Sequence, residues 1–203
     1  MSPDASAKAL PPARGRPPTT SPEQIAHAAL QLFADRGFEA TTVEDIAGAL
    51  GVSRRTVFRY FPSKNDMVWG DFDQVLQRLR RDLTALDRDL PVMEALAEAV
   101  VSSNRYDGDQ LPELRIRMAL ITTVPALQAH SMLRYAAWRA VVAEYVAGRR
   151  GERPSDPVPL TLGFVALAVS MAAFSRWVGQ EGGDLEQCLR DGWAAVAGSY
   201  ADG

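Results

Sequence analysis

The chain has little of what metal centres and disulfides are built from. It contains one cysteine, Cys188, and two histidines, His27 and His130, among 203 residues. A single cysteine excludes a disulfide within the chain and a cysteine-rich metal site, and it is typical of proteins in a reducing cytosol. The two histidines stand on different predicted helices without metal-type spacing, so the sequence predicts neither a metal site nor a cofactor.

Catalytic and membrane-spanning patterns are also missing. The sequence has no Gly-rich phosphate loop, paired catalytic carboxylate motif or nucleophile elbow, which argues against an enzyme. The N-terminus has no apolar stretch of signal-peptide length. The longest uncharged run covers residues 157–175, with two prolines at its front. We expect its helical part to be shorter than the roughly 20 residues of a bilayer span, and the protein to be cytoplasmic without a membrane partner.

Positive charge is scarce overall but unevenly distributed. The net charge is −3. Residues 1–64 hold eight Lys/Arg against six Asp/Glu, whereas residues 65–203 hold fourteen against nineteen. A mildly basic N-terminal part on an acidic remainder suits a protein in which only the first part meets phosphate.

Cap signals divide the chain into about nine predicted helices, and no segment reads as a strand. Ser21 and Pro22 open the first helix, which Gly37 ends. Thr42 and Asp45 form a capping-box pair that opens the second helix.

The remaining helices follow from similar signals. Ser53 opens the third helix and Pro62 ends it, and Ser63 opens a long fourth helix that reaches about Leu86. Five further helices are predicted over residues 91–106, 112–123, 125–148, 160–180 and 184–200. We therefore predict an all-α protein with three parts, namely a disordered arm (1–20), a helix-turn-helix domain (21–66) and an effector-binding and dimerisation domain (67–203).

The predicted arm is rich in Pro, Ala and charged residues. Arg14 and Arg16 lie within it, just before the first helix. They are interpreted either as solvated charges or as groups that reach phosphates or an adjacent minor groove.

Residues 42–64, TVEDIAGALGVSRRTVFRYFPSK, predict two short helices joined by a tight turn. Gly51 permits the turn, and Ala47 is small where the helices cross. The second helix carries arginines, which can pair with guanine, and a threonine, which can contact a thymine methyl group or a phosphate. The alternative is a surface hairpin with solvated arginines. We predict the following DNA-binding residues, with phosphate contacts at the first and the last two: Thr42, Ser53, Arg54, Arg55, Thr56, Phe58, Arg59, Tyr60 and Lys64.

The other 140 or so residues are more than a DNA reader needs, so we expect them to hold a ligand pocket and a dimer interface. Pockets are mainly apolar with a few polar anchors. Arginines at positions 115, 117, 134 or 139 are candidates to hold an anionic head group at the rim, and ordinary core packing is the alternative for every apolar position. The predicted lining residues are Trp69, Phe72, Leu76, Met93, Leu96, Met118, Ile121, Tyr135, Trp138 and Val142.

The segment LTLGFVALAVSMAAF at residues 160–174 has no polar face, so it must be buried on all sides. Packing against its own copy, together with the last helix, would form a four-helix seam between two subunits. Burial within one subunit is the alternative. A dimer would place two DNA-reading helices about one turn apart (roughly 34 Å) on a near-palindromic site. The predicted seam residues are Leu160, Phe164, Leu167, Met171, Phe174, Leu185, Leu189, Trp193 and Val196.

Residues 20–66 resemble the DNA-binding domain of the TetR family of bacterial repressors, through TVEDIA at 42–47, GVS at 51–53 and YFPSK at 60–64. The resemblance implies an all-α homodimer that binds double-stranded operator DNA and represses transcription. It places Thr42 at a phosphate-contacting position and the following residues at DNA-contacting positions: Arg54, Arg55, Thr56, Phe58, Tyr60 and Lys64. Residues 54–73 and 112–123 further resemble the TetR-type regulators associated with mycofactocin, and family-level similarity implies a long-chain acyl-CoA or a similar lipophilic effector.

The sequence thus predicts a DNA-binding transcriptional regulator that a small lipophilic ligand releases. In this hypothesis, ligand binding between the fourth and seventh helices tilts the fourth helix and changes the spacing of the two recognition helices. The alternatives are a small-molecule-binding protein that does not read DNA and an enzyme.

Overall fold

The computed structural model describes residues 20–198, and within this range it contains ten α-helices and no strand, which confirms the predicted all-α class. Arg14 and Arg16 lie outside the described residues. We call α1–α4 the head and α5–α10 the body. The helices are α1 (Pro22–Arg36), α2 (Val43–Ala49), α3 (Arg54–Tyr60), α4 (Lys64–Trp69), α5 (Phe72–Ala85), α6 (Val92–Ser103), α7 (Leu111–Thr123), α8 (Pro125–Arg150), α9 (Pro157–Val178) and α10 (Leu185–Gly198).

The head helices begin where their cap residues predict. Ser21 closes a capping box on α1, and Thr42 closes a second one with Asp45 on α2. Ser53 Oγ accepts the backbone N–H of Thr56 at the start of α3. Since α2 and α3 have only seven residues each, they are too short to persist alone and depend on packing against the rest of the head.

The core of the head lies beneath α2 and α3. Ile25 and Phe33 of α1, Ile46 of α2 and Val57 of α3 are each at most 1% exposed. Val57 is the buried residue of α3, so the rest of that helix faces the surface or the flanks.

The predicted continuous helix over residues 64–86 is wrong, because the chain breaks at Gly70. Gly70 has φ of +56°, a conformation that residues with a Cβ rarely adopt. Asp71 then caps α5 by accepting the backbone N–H of Gln74. A Cβ at Gly70 would also lie 2.8 Å from Nη1 of Arg117, so backbone conformation and close packing both require glycine. Counted as one interrupted helix, α4 and α5 bring the described helices to the predicted nine.

The two longest helices, α8 and α9, pack side by side as a hairpin in the body, and α10 covers α9 and α6. The backbones come close where Gly163 of α9 faces α8, since a Cβ there would lie 3.0 Å from the carbonyl oxygen of Arg139. The loop predicted at 149–159 is shorter than expected, because α8 continues to Arg150 and α9 begins at Pro157.

α9 is long and apolar enough, by length and composition alone, to cross a membrane. The expectation of a shorter helix is wrong, because Pro157 and Pro159 stand in its first turn, where proline is tolerated. A core helix passes the same test, and α9 packs against α7, α8 and α10. Only 39% of its most apolar stretch is buried, so one side of α9 remains uncovered in the protomer.

Candidate DNA-binding surface and ligand cavity

The structure turns most of the predicted DNA-binding residues of α3 outward. Arg54, Arg55 and Arg59 are exposed, and Phe58 is 37% exposed. Thr56 is half-buried. The helix therefore presents three guanidinium groups on a surface supported from below.

The three arginines differ in what they already contact. Arg54 Nη1 lies 2.7 Å from Oε1 of Glu44, and its guanidinium stands 5.2 Å from the Phe58 ring centroid. Arg59 stacks on the neighbouring tyrosine ring at 4.8 Å. Arg55 has no hydrogen bond or ion pair among residues 20–198, so it gives up no polar contact with these residues when it meets a base edge or a phosphate.

Lys64 and Tyr60 are already used within the fold. Lys64 Nζ donates to the carbonyl oxygens of Phe38 at 2.7 Å and Thr41 at 3.1 Å, and it lies 4.2 Å from the Phe38 ring centroid. Tyr60 Oη donates to the carbonyl oxygen of Thr20 at 3.1 Å. Both residues fix the position of α3 in the head, and their phosphate contacts stay predictions.

The N-terminus of α2 is less favourable for phosphate than the sequence indicates. Thr42 Oγ1 donates to Oδ2 of Asp45 at 2.6 Å, which commits the hydroxyl proton. The hydrogen bond from the Thr42 side chain, followed by that from its backbone, lowers the pKa of Asp45. Glu44 and Asp45 both stand in the first turn, so their carboxylates oppose a second anion there.

A cavity of about 610 Å³ lies between α1, α4, α5, α7, α8 and α9. Six of the ten residues predicted for a pocket line it, namely Trp69, Phe72, Met118, Ile121, Tyr135 and Trp138. The other four, Leu76, Met93, Leu96 and Val142, do not line it and belong to the hydrophobic core or pack against it.

Aromatic rings form one wall of the cavity. The Trp69 ring meets Phe72 and Tyr135 edge-on, with centroid distances of 5.2 and 5.7 Å. Burial raises the pKa of Tyr135, and the Ser131 hydroxyl opposes this only in part. The wall therefore offers apolar ring faces and a neutral phenol.

Charged side chains also line the cavity. The carboxylates come from Glu23, Asp71, Asp109 and Glu113, and the guanidinium groups from Arg78 and Arg117. Of the four arginines proposed for the rim, only Arg117 lines the cavity. The other three have partners elsewhere. Arg115 donates to the carbonyl oxygens of Trp177, Val178 and Gln180. Arg134 pairs with Asp66, and Arg139 stacks on the Phe164 ring.

Two polar clusters join the head to the body, and each uses one of the two histidines. In the first, His27 Nδ1 of α1 lies 2.8 Å from Oε2 of Glu113, whose Oε1 accepts from Arg117 Nη2 at 2.8 Å. Arg117 Nη1 donates to the carbonyl oxygen of Val68 in α4 at 2.7 Å. A cavity-lining pair therefore contacts both α1 and α4, a connection that sequence spacing does not reveal.

The second cluster is centred on Asp66 of α4. His130 Nε2 and Arg134 Nη2 of α8 each lie 3.0 Å from its Oδ1, and Ser63 Oγ donates to its Oδ2 at 2.7 Å. Burial acts to raise the pKa of Asp66, but the hydrogen bonds from Ser63, His130 and Arg134 outweigh it and hold the pKa below its ordinary value. Ionised Asp66 thus fixes α4 against α8.

The predicted seam residues divide into two groups in the structure. Leu160 and Phe164 are 46% and 51% exposed and lie on the uncovered side of α9. The others have less free surface: Leu167, Met171 and Phe174 line the cavity, Leu185, Leu189 and Trp193 are buried within the protomer, and Val196 is half-buried.

Small side chains outside the predicted seam also lie on the uncovered side of α9. Ala168 and Ala172 of α9 are exposed, and their four-residue spacing from Phe164 places all three on one face of the helix. Because α9 is apolar all round, its pattern has no phase that distinguishes an inward from an outward face.

Comparisons with known proteins follow the division into head and body. Residues 25–68 match the family described as bacterial regulatory proteins, tetR family, and residues 90–201 match the family described as MftR C-terminal domain. The chain is 39% identical over 175 residues to a protein of Mycobacterium tuberculosis described as a mycofactocin biosynthesis transcriptional regulator, MftR. The match covers 86% of this chain and 88% of that protein.

Two solved structures share the fold at low sequence identity. FadR of Bacillus subtilis in complex with stearoyl-CoA gives a TM-score of 0.60 at 18% identity, over 84% of this chain and 95% of that one. FadR of Thermus thermophilus in complex with lauroyl-CoA gives 0.55 at 23% identity, over 87% and 93%.

Proposed function

Because the chain belongs to the TetR family of bacterial regulatory proteins and carries a C-terminal domain of the MftR type, we propose that it is a cytoplasmic, ligand-released repressor. It binds a near-palindromic operator as a homodimer. The observation that carries the proposal is α3, whose exposed Arg55 has no partner among the described residues while Val57 fixes the helix from below.

The reading of DNA rests on the guanidinium groups of α3. Arg55 reaches a guanine edge without losing a contact, and Arg54 does so by leaving Glu44, an exposed ion pair that contributes little to stability. Arg59 and Tyr60 stand at the end of α3, where contacts to the sugar–phosphate backbone are expected.

The dimer rests on the uncovered side of α9. A soluble protein rarely leaves a long apolar helix half exposed, and here Phe164 projects from a strip of small residues. Alanines allow the helices of two copies to approach closely, and Phe164 supplies the large apolar contact area. The two-fold rotation that relates the two copies would also bring their α3 helices to the two half-sites of the operator.

Release rests on the contacts between the cavity and the head. Because Gly70 interrupts the helix, a tilt of α5 does not pass rigidly along the chain to α4. The cavity-lining Glu113 and Arg117 bind His27 and the Val68 carbonyl directly, and these contacts pass the signal. A ligand that prefers the rearranged pair lowers operator affinity, because only differential affinity shifts the equilibrium. The acyl-CoA complexes of the two FadR proteins support a lipophilic effector.

DNA binding is tested with duplexes selected from a random pool by the full-length chain. We expect a near-palindromic site whose affinity falls steeply with salt. The double variant Arg54→Ala/Arg55→Ala should bind it at least about 100-fold more weakly, at an unchanged thermal midpoint. If the double variant binds as the wild type does, α3 is not the reading helix. If no duplex is enriched, the proposal of a sequence-specific DNA-binding regulator is wrong.

The dimer is tested with Phe164→Asp, which places a charge on the uncovered side of α9. We expect a monomer in sedimentation and a loss of operator affinity, because each half-site is then bound alone. Leu133→Asp is the matched control, since Leu133 of α8 is 81% exposed and lies outside this side. A Phe164→Asp protein that stays dimeric would contradict the proposed seam.

The coupling is tested with a double-mutant cycle. His27→Ala and Glu113→Gln should both change operator affinity, and the double variant should change it no further than Glu113→Gln alone, because Glu113 also holds Arg117. Glu98→Gln, which weakens an exposed contact with Arg190, should leave operator affinity unchanged. Additive effects of the first two substitutions would show that the pair does not act as one unit.

A further inference from the structure

The surface around α3 carries negative charge as well as arginines. Glu44 and Asp45 both stand in the first turn of α2, which packs against α3. Asp45 serves the fold, because it accepts from the backbone N–H and from the hydroxyl of Thr42. Glu44 has no such role. Its side chain is 59% exposed, and it pairs with Arg54 and with no other polar group among residues 20–198.

The pair of Glu44 and Arg54 joins the two helices at the end that meets the bases. Arg54 is the first residue of α3, and the N-terminal residues of the second helix in a helix-turn-helix contact base edges. Its Nη1 lies 2.7 Å from Oε1 of Glu44. The Glu44 carboxylate therefore approaches the same part of the major groove as Arg54 when α3 enters it.

DNA of arbitrary sequence makes this carboxylate unfavourable. Non-specific binding is almost entirely an attraction between basic side chains and phosphates. If Arg54 stays with Glu44, the pair adds no net charge. If Arg54 moves to a phosphate, it exchanges one anion for another and leaves Glu44 facing a polyanion. In both cases Glu44 lowers the affinity for such DNA.

A suitable pair of bases offsets this repulsion. Guanine accepts two hydrogen bonds from an arginine at O6 and N7, and the N4 amino group of cytosine donates to a carboxylate. Arg54 and Glu44 can then exchange each other for base contacts, and neither charge is left without a partner. Thymine presents the O4 acceptor to the groove instead of an amino group, so it opposes a carboxylate.

We infer that Glu44 is a specificity-determining residue, which accepts from the N4 amino group of a cytosine in the base pair next to the guanine that Arg54 reads, and which weakens binding to other DNA. The inference rests on the proposed DNA-binding function and adds a second base-reading residue to it. Arg54 alone would also accept a phosphate as its partner. The neighbouring carboxylate restricts it to sites that offer both bases.

The full-length wild type, Glu44→Ala and Glu44→Gln are compared by fluorescence anisotropy on three kinds of duplex. These are the operator selected from the random pool, operators with each base pair of one half-site replaced in turn, and an unrelated duplex of equal length. Both variants should bind the unrelated duplex about three- to tenfold tighter than the wild type, because both lose the charge. The salt dependence of that binding should steepen by about one counterion, because Arg54 becomes free to contact a phosphate.

The reading of cytosine is tested on the replaced operators. At one position of the half-site, a change from cytosine to thymine should weaken wild-type binding about tenfold and Glu44→Ala binding less than about threefold. A protein in which Glu44 only supported the fold would not show a change confined to one base pair. Circular dichroism verifies that both variants keep the wild-type helix content.

Glu98→Ala is the matched control. Glu98 is also an exposed glutamate paired with an arginine, since its Oε1 lies 3.3 Å from Nη1 of Arg190, but it lies on α6 of the body. We expect this variant to bind every duplex as the wild type does. The inference is overturned if Glu44→Ala keeps the wild-type preference at every base pair, or if it binds the unrelated duplex no tighter than Glu98→Ala does. With specific operator binding by the wild type, either result leaves the proposed function standing. If the wild type enriches no duplex, the proposed function and the role of Glu44 are both wrong.

Discussion

Two arginines of the body and the three arginines of α3 in the head have different partners. In the body, Arg115 and Arg149 donate to backbone carbonyl oxygens of distant segments. On α3 of the head, Arg54 and Arg59 contact only side chains, and Arg55 has no partner among the described residues. An arginine that donates to backbone carbonyl oxygens of distant segments is thus recognised as structural, which the net charge of −3 does not reveal.

Arg115→Ala should give the largest effect, a loss of stability, and it tests whether an arginine bound to backbone carbonyl oxygens serves the fold alone. Its Nη1 lies 2.6 Å from the carbonyl oxygen of Trp177 and 2.9 Å from that of Gln180, at the end of α9. Without it, we expect the free energy of unfolding to fall by about 2–3 kcal/mol in urea titrations. Operator affinity of the folded protein should not change. A specific loss of operator affinity at an unchanged urea midpoint would break the comparison.

Arg55→Ala should show the opposite behaviour. We expect operator affinity to fall by about 10- to 100-fold in fluorescence anisotropy, because one base or phosphate contact is lost, while the urea midpoint stays constant. Arg54→Ala is the neighbouring comparison, and we expect a smaller loss because Arg54 first has to leave Glu44. A larger loss of operator affinity for Arg54→Ala would mean that the ion pair with Glu44 does not reduce the contribution of Arg54 to DNA binding.

Asp66→Asn tests an arginine contact that joins head and body. The pKa of Asp66 lies below its ordinary value, so ionised Asp66 stabilises the fold above that value, and this contribution is lost as the pH falls through the lowered pKa. We expect the variant to be less stable by about 1 kcal/mol at pH 7, with the difference vanishing at acidic pH. A difference that is constant between pH 7 and pH 3 would rule out the charge of Asp66 as its cause.

Arg80→Ala should give the smallest effect. Arg80 Nη2 lies 3.8 Å from Oε2 of Glu144, and the two side chains are 49% and 55% exposed. Exposed pairs of this kind contribute little, so we expect a change within about 0.5 kcal/mol and unchanged operator affinity. A larger change would mean that surface arginines of the body also hold the fold.

The head could be predicted from the sequence because its rules are local. Ser21, Thr42, Ser53 and Ser63 each precede a helix and accept from a backbone N–H within the first turn. Such caps depend on residues three positions apart, which the sequence displays directly. The break at Gly70 differs from the predicted continuous helix, although a glycine followed by a capping aspartate is a local signal of the same kind.

The body could not be predicted to the same depth, because its rules are tertiary. The sequence predicts Leu167, Met171 and Phe174 in the dimer seam, whereas in the structure they line the cavity. An apolar helix without a polar side has no preferred phase, so only its neighbours decide which residues stay exposed. The contact between His27 and Glu113 joins residues 86 positions apart, and no spacing rule reaches that far.

The seven-residue length of α2 and α3 should determine which substitutions a genetic selection for lost repression returns. Helices this short exist only while the rest of the head holds them. A screen for cells that have escaped control should therefore return substitutions at Ile25, Phe33 or Ile46 as readily as at Arg55. Among such escape mutants, those that retain a normal amount of folded protein are the ones that identify a DNA contact.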